Sequence, residues 1–364
     1  MTELMLVVGT RPEIIKMAPV IRELQKRGLY FTFVQSGQHY DYNLSKQFIK
    51  ELRLPEPNYS FKLNNSESVA QMSEIMLKLK EVIKKEKPKL LLIEGDTNSV
   101  VTAALTGLKM GVKIGHVEAG LRSYDWRMPE EHNRIIVDHI SDLLFAPTDR
   151  ARENLERENV HGKIYVTGNT VIDAVIQHMP LAEENSKIIN KIRFGEYILM
   201  TAHRAENVDD PNVLKNFVEV CIHSPLPIVF PVHPRTAKRL KEYGLYNILK
   251  RCGNVQLLPP VGYLDFLMLM KHCKLILSDS GGLQEEATAP CIEKKVLVLR
   301  LSTERPEAIE EGFAKLVGIE KDIILQSIKE EMNSSNPLNH ETPFGDGNAS
   351  RRIINIIEQY VGSK

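Results

Sequence analysis

The run Leu90-Leu91-Leu92-Ile93 is apolar at every position. A strand with one wet face alternates apolar and polar residues. A strand without alternation needs cover on both faces, the habit of a parallel sheet between two helical layers. An amphipathic helix pattern over 67–85 precedes this strand and a helix pattern over 99–110 follows it. The same order of strand, polar turn and helix begins at 4–8 with 14–27, continues through strands at 30–34, 112–117, 143–146 and 163–166, and includes a helix opened at Gly168-Asn169-Thr170. It restarts with strands at 197–200, 228–232, 255–258, 274–277 and 296–299, and a last helix spans 349–360. The chain therefore reads as α/β in two successive arrays. Its 364 residues suit two domains of about 150–200 residues better than one core. The polar stretch 183–187 looks like the crossing between them.

Lys plus Arg and Asp plus Glu both number 47, and aromatics are 6%, so nothing suggests a basic stacking surface for nucleic acid. No apolar stretch approaches the roughly 20 residues of a membrane span. Leu4 to Val8, after the acidic start Met1-Thr2-Glu3, is too short for a signal peptide. Four cysteines without C-x-x-C spacing fit reduced thiols in a cytosol, so a cytoplasmic protein without membrane partners is expected.

In doubly wound sheets ligands bind beyond the carboxyl ends of strands, and this chain concentrates ionisable residues there. Ser280-Gly281-Gly282 lies in a strand-to-helix turn where glycines leave backbone N–H groups bare, a seat for phosphate or an ordinary tight turn. Glu286, one turn on, could face a sugar hydroxyl. Arg11 and Lys16 stand near a helix N-terminus, where cations are either solvated or held by an anion. Asp96 is placed to touch a ligand or simply to start a helix. Glu118 ends a strand, and Glu130 sits in the first turn of a helix announced by Pro129, with Arg134 one turn later on the same face. The long loop between Gly120 and Met128 adds Arg122, Asp125 and the only tryptophan, Trp126. Asp96, Glu118 and Glu130 gathered at one sheet edge would push each other's pKa values apart, which supplies an acid and a base. His203, backed by Arg204, would be a charge-assisted donor to a phosphate.

Taken together, Gly9-Thr10-Arg11-Pro12-Glu13, Gly37-Gln38-His39, Glu94-Gly95-Asp96-Thr97, His116-Val117-Glu118-Ala119-Gly120-Leu121-Arg122 and Pro129-Glu130-Glu131 carry a resemblance. So do His203-Arg204, Pro231-Val232-His233-Pro234, Asp279-Ser280-Gly281-Gly282, Thr303-Glu304-Arg305-Pro306-Glu307 and Gly345-Asp346-Gly347. The chain resembles the non-hydrolysing UDP-N-acetylglucosamine 2-epimerases along almost its whole length. That resemblance implies a glycosyltransferase-B-like fold of two Rossmann-like domains, with the active site in the interdomain cleft. The domains would be 1–170, joined by helix 349–364, and 171–348. It implies inversion at C2 of UDP-N-acetylglucosamine to give UDP-N-acetylmannosamine without a redox cofactor. UDP leaves anti to the C2 proton, a 2-acetamidoglucal forms, and UDP adds back. The product would feed polysaccharide or glycan synthesis, and a homodimer is the family's habit.

By the same resemblance Asp96, Glu118 and Glu130 are the acid/base carboxylates, and Arg134 holds a carboxylate or the sugar. Arg11, His203, Ser280, Gly281 and Gly282 surround the diphosphate, with His203 counted among the catalytic groups. Glu286 takes the ribose, Phe266 packs the uracil, and Lys16 and Arg305 complete a charged rim. Gln38, His39 and His233 match a neighbouring site at which substrate activates some bacterial members. Ala205 and Tyr40-Asp41-Tyr42 depart from those members' pattern, so activation stays open. The rivals are action on a 2,3-diacetamido-uronic acid UDP-sugar, a hydrolysing epimerase, a glycosyltransferase and a non-catalytic sensor. The carboxylate trio argues against the glycosyltransferase, retention of every candidate catalytic residue argues against the sensor, and Pro290-Cys291 without a partner cysteine argues against a zinc deaminase at His116-Val117-Glu118.

Overall fold

The computed structural model describes residues 3–37, 42–65, 67–334 and 341–362. The chain divides into two compact units, Met1–Ala174 with Phe344–Lys364, and Val175–Pro343.

Among the described residues the first unit contains strands β1 (Leu4–Val8), β2 (Phe31–Gln35), β3 (Tyr59–Ser60), β4 (Leu90–Glu94), β5 (Lys113–Val117), β6 (Leu143–Ala146) and β7 (Lys163–Val166). They form one sheet in the order β3-β2-β1-β4-β5-β6-β7, parallel throughout. Every residue of β1 and β4 is buried, as strands without alternation require. Met5, Val7, Leu91, Ile93 and Ile114 pack with Leu79, Val82, Val100 and Val101 from the helices Ser68–Glu86 and Asn98–Lys109. The helix Arg11–Lys26 buries Ile14, Met17, Ile21 and Leu24. The helix Ala349–Gly362 packs beside it through Ile353, Ile354 and Ile357, with an Arg27–Glu358 ion pair at the edge. Asp173 caps that last helix, accepting from the amides of Ala349 at 3.1 Å and Ser350 at 2.8 Å and from the Ser350 hydroxyl at 2.6 Å.

The second unit contains β8 (Ile198–Thr201), β9 (Ile228–Pro231), β10 (Val255–Leu258), β11 (Leu275–Ser278), β12 (Val296–Val298) and β13 (Ala314–Leu316), in the parallel order β10-β9-β8-β11-β12-β13. Its core joins Ile198, Phe230, Leu277 and Leu297 to Leu214, Phe217, Ile324 and Ile328 from the helices Pro211–His223 and Lys321–Asn333.

Each sheet has one place where the strand order reverses, between β1 and β4 in the first unit and between β8 and β11 in the second. At such a point the chain leaves the two neighbouring strands in opposite directions and opens a crevice at their carboxyl ends. Gly9 to Lys16 and Glu94 to Thr97 sit at one reversal, and Ala202 to Asn207 and Asp279 to Gly282 at the other.

Two local expectations need correction. The polar stretch 183–187 is not a connector over its first half, because the helix Thr170–Asn185 runs through it and through the division between the units. The helix after Ser280 is Gly281–Glu286, shorter than an apolar pattern reaching Ala289 suggests. Beyond it the chain turns, with the amides of Thr288 and Ala289 bonded to the carbonyls of Glu285 and Glu286.

Candidate active site

In the first unit, Glu118 follows β5 directly with a backbone φ of 68°. The left-handed region is uncommon for a residue with a side chain, and such strain gathers at functional sites. It turns the carboxylate out of the strand's alternation and onto the Lys16 Nζ at 2.5 Å and the Asn169 Nδ2 at 3.1 Å. The register pairs Glu94 with Val117, so Glu94 ends up beside Glu118. Lys16 reaches both carboxyls, its Nζ also lying 3.1 Å from the Glu94 Oε1. Burial drives the Glu94 carboxyl well above the usual carboxylate range, against the pull of Lys16.

Glu13, one helical turn before Lys16, is buried as well. Its carboxylate accepts from the Gly9 amide at 2.6 Å and from the Thr10 and Thr97 hydroxyls at 2.8 Å each, tying the loop after β1 to the loop after β4. Burial outweighs those donors and pushes it up to about 7. The carboxyls pushed upward here are Glu13 and Glu94, neither of them one of the three expected to supply the acid and the base.

Asp96 is paired with Arg134, whose Nε and Nη2 lie 2.9 and 2.7 Å from its Oδ2. The expected partnership of Arg134 with Glu130 is replaced by one with Glu131, at 2.7 Å. Burial would push Glu131 up. The amides of Ser123 and Tyr124 together with Arg134 overcome it and hold this carboxylate below the usual range. Glu131 thereby ties down the start of the long loop, while the Glu130 side chain stands half-buried beside it. Arg122 takes a structural place, bonded to Asp138 at 2.8 Å and Glu158 at 2.7 Å. His116 bridges the Asp138 carboxylate at 2.7 Å and the Gly95 carbonyl at 2.9 Å, so the ends of β4 and β5 are clamped together. Arg11 is exposed at the start of its helix, with its guanidinium 5.6 Å from the centre of the Phe48 ring. Lys16 faces inward, with a side chain only 12% exposed, instead of standing on a rim.

In the second unit, buried Asp279 organises the loop after β8. It accepts from the amides of His203 and Arg204 at 3.0 and 2.9 Å and from the Asn207 Nδ2 at 3.1 Å. The His203 Nδ1 is 3.3 Å from the same carboxylate, which leaves the other ring nitrogen to face outward. Burial lowers the His203 pKa, only partly offset by Asp279, so the ring is neutral at pH 7. The His233 ring lies 5.5 Å from it, its pKa also lowered by burial, and accepts the Arg235 amide at the head of the helix Pro234–Glu242.

The two glycines of the turn differ. A Cβ on Gly281 would overlap the Glu304 carboxylate, which bridges Arg300 at 2.8 Å and Arg305 at 2.7 Å. A Cβ on Gly282 would meet nothing within 4 Å. Gly281 is thus fixed by the protein's own packing, and Gly282 keeps open space bare. Ser280 holds the N-cap position of the helix Gly281–Glu286 without a capping hydrogen bond from its side chain, Glu286 is half-buried at the end of that helix, and Phe266 is half-buried on the helix Tyr263–His272. Arg305, a rim residue by expectation, is buried between Glu304 and Glu285 and braces the turn from behind. Gln38 and His39 lie outside the described residues.

Glu13, Glu94, Asn169, Glu131 and Asp279 are not among the expected site residues. The available signal for Glu94 and Asp279 was a carboxylate at or just past the end of a strand that is apolar up to its last residue. Asn169 carried none.

Residues 22–358 match the family model described as UDP-N-acetylglucosamine 2-epimerase. The UDP-N-acetylglucosamine 2-epimerase of Methanocaldococcus jannaschii is 43% identical over 368 residues, covering 98% of each chain. This chain belongs to the UDP-N-acetylglucosamine 2-epimerase family. A solved structure of the Methanocaldococcus jannaschii epimerase, in complex with UDP-GlcNAc and UDP, matches with a TM-score of 0.89 at 42% identity, over 97% of this chain and 99% of that one. Another similar epimerase, the UDP-2,3-diacetamido-2,3-dideoxy-D-glucuronate 2-epimerase of Pseudomonas aeruginosa, is 35% identical over 98% of this chain and 99% of its own. The fold class is the expected one, two Rossmann-like domains of the glycosyltransferase-B-like kind.

Proposed function

We propose that this chain interconverts UDP-N-acetylglucosamine and UDP-N-acetylmannosamine by inversion at C2. The observation that carries the reading is the carboxyl cluster around Glu118. A C2 hydrogen without an adjacent carbonyl is barely acidic, so its removal needs a positioned base acting in step with departure of a stabilised leaving group. Asp96, Glu118 and Glu130 supply the proton-transfer groups on the first unit. The Ser280-Gly281-Gly282 turn, His203 and Arg11 take the diphosphate, Glu286 the ribose and Phe266 the uracil.

The base takes the C2 proton, the C2–H electrons form the C1–C2 double bond, and the C1–O bond breaks with its electron pair leaving on UDP. A UDP oxygen then adds back to C1 while an acid delivers a proton to the opposite face of C2. The cycle is redox-neutral and consumes nothing, so no redox cofactor is needed. A neutral His203 beside the diphosphate can donate a hydrogen bond to it without the cost of a buried cation.

A second reading has one specific observation behind it, the likeness to the Pseudomonas aeruginosa enzyme whose substrate is amidated at C3 and oxidised at C6. Incubation with UDP-N-acetylglucosamine and with UDP-2,3-diacetamido-glucuronate in parallel, with product read by NMR, separates the two. Conversion of the first alone supports the proposal. Conversion of the second alone refutes its substrate while leaving C2 inversion in place.

A further inference from the structure

One ammonium, that of Lys16, stands between two carboxyls of the first unit. It lies 2.5 Å from Glu118 and 3.1 Å from Glu94, and all three side chains are at most 12% exposed. A single cation offsets one negative charge, and a second buried carboxylate without donors of its own is better neutral, so one of this pair holds its proton. The surroundings decide which. Glu118 has a second donor in Asn169, whereas the Glu94 Oε1 is buried without a well-formed hydrogen bond. We propose that Glu94 is a positioning residue that acts through Lys16: while Glu94 is a neutral acid the ammonium belongs to Glu118 and aims its carboxylate, and when Glu94 ionises it takes Lys16 away.

The groups facing Glu94 agree with this. Glu13 and Lys16 come from the helix Arg11–Lys26, and Glu118 from the end of β5. Asp96 lies two residues on, ion-paired with Arg134 of the helix Pro129–Ile140, which Glu131 shares. His116 of β5 is committed to the Gly95 carbonyl and Asp138. Lys16 is the cation that pulls the Glu94 carboxyl down, while burial, Glu118 and Glu13 all favour the neutral acid.

The consequence is an alkaline limb in the rate that belongs to Glu94. The inference rests on Glu118 transferring the C2 proton. Deuterium uptake at C2 by the unsubstituted enzyme, abolished in Glu118→Gln, tests that separately and stands whatever the Glu94 variants do. The experiment is kcat against pH for the unsubstituted enzyme, Glu94→Gln and Glu94→Met, each scaled to its own maximum. The expected result is a fall of roughly tenfold per pH unit along the alkaline limb of the unsubstituted enzyme, displaced upward by at least about one pH unit in both neutral variants. Superimposable limbs overturn the proposal, as does a flat unsubstituted profile. So does loss of turnover at every pH in a variant that still binds UDP. If neither variant folds, infrared spectra of the unsubstituted and Glu13→Gln proteins decide. A buried carboxylic-acid band common to both must vanish as kcat falls, and its absence across the active range overturns the proposal.

Discussion

Replacing Glu13 by Gln removes a titration that the fold imposes. The carboxylate accepts the Gly9 amide on one oxygen and the Thr10 and Thr97 hydroxyls on the other. Gln can keep its carbonyl toward the amide and turn its NH2 toward the two hydroxyls, which can accept as well as donate, so the connections survive. Burial raises the Glu13 pKa from its ordinary 4.5 to about 7. The folded state therefore holds a proton that the unfolded chain has already released, and stability falls as pH rises between those values. At roughly 1.4 kcal/mol per pH unit the rise costs the unsubstituted protein about 3 kcal/mol by the time pH passes the folded value. Unfolding free energies from denaturant titrations at a series of pH values should show Glu13→Gln gaining that amount on the unsubstituted protein between about pH 4 and pH 8. In thermal scans that is roughly 6–12 °C for a unit of this size. A constant difference across the range would refute the burial argument, and a difference that shrinks with pH would reverse its sign.

The paired glycines give opposite predictions. Gly281→Ala drives a methyl into the Glu304 carboxylate and should cost about 1–3 kcal/mol of stability, read by denaturant unfolding. Gly282→Ala should leave stability level or slightly raised, because its Cβ meets only open space, yet weaken UDP binding by roughly tenfold in calorimetry. Unchanged UDP affinity in Gly282→Ala would remove that turn from the phosphate seat. Asp173→Ala strips three hydrogen bonds from the first turn of the helix Ala349–Gly362 and should cost about 1–2 kcal/mol, with faster amide exchange at Ala349 and Ser350. Exchange there at the unsubstituted rate would show that the cap is not what holds that helix.

The apolar strands were readable because burial on both faces leaves no polar residue inside them, as in β1 and β4. The two-residue edge strand β3 and the short β13, with Lys315 in its middle, offered no such run, and both pair with a neighbour on one side only. Among the candidate site residues, Asp96, Glu118 and His203 were legible as ionisable groups just past a strand. The direction of a side chain was not. Glu13 and Lys16 lie three apart at a helix start, a spacing that reads equally as a solvated pair, and only the reversal of strand order beside them turns both inward. Glu130 and Arg134 share a helical face by spacing, yet Arg134 goes to Asp96 across the sheet edge, a partner no local pattern could name. The distinct duties of Gly281 and Gly282 likewise depend on Glu304, more than twenty residues away.

The central claim is that carboxylates at the end of the first sheet move the C2 proton. It is tested most directly by proton NMR of UDP-N-acetylglucosamine with the enzyme in D2O, without added cofactor. The account predicts UDP-N-acetylmannosamine carrying deuterium at C2, deuterium washing into the remaining substrate, and both signals lost in Glu118→Gln and Asp96→Asn that still bind UDP. Epimer formed with the original C2 hydrogen retained, or undiminished exchange in both variants, would contradict it.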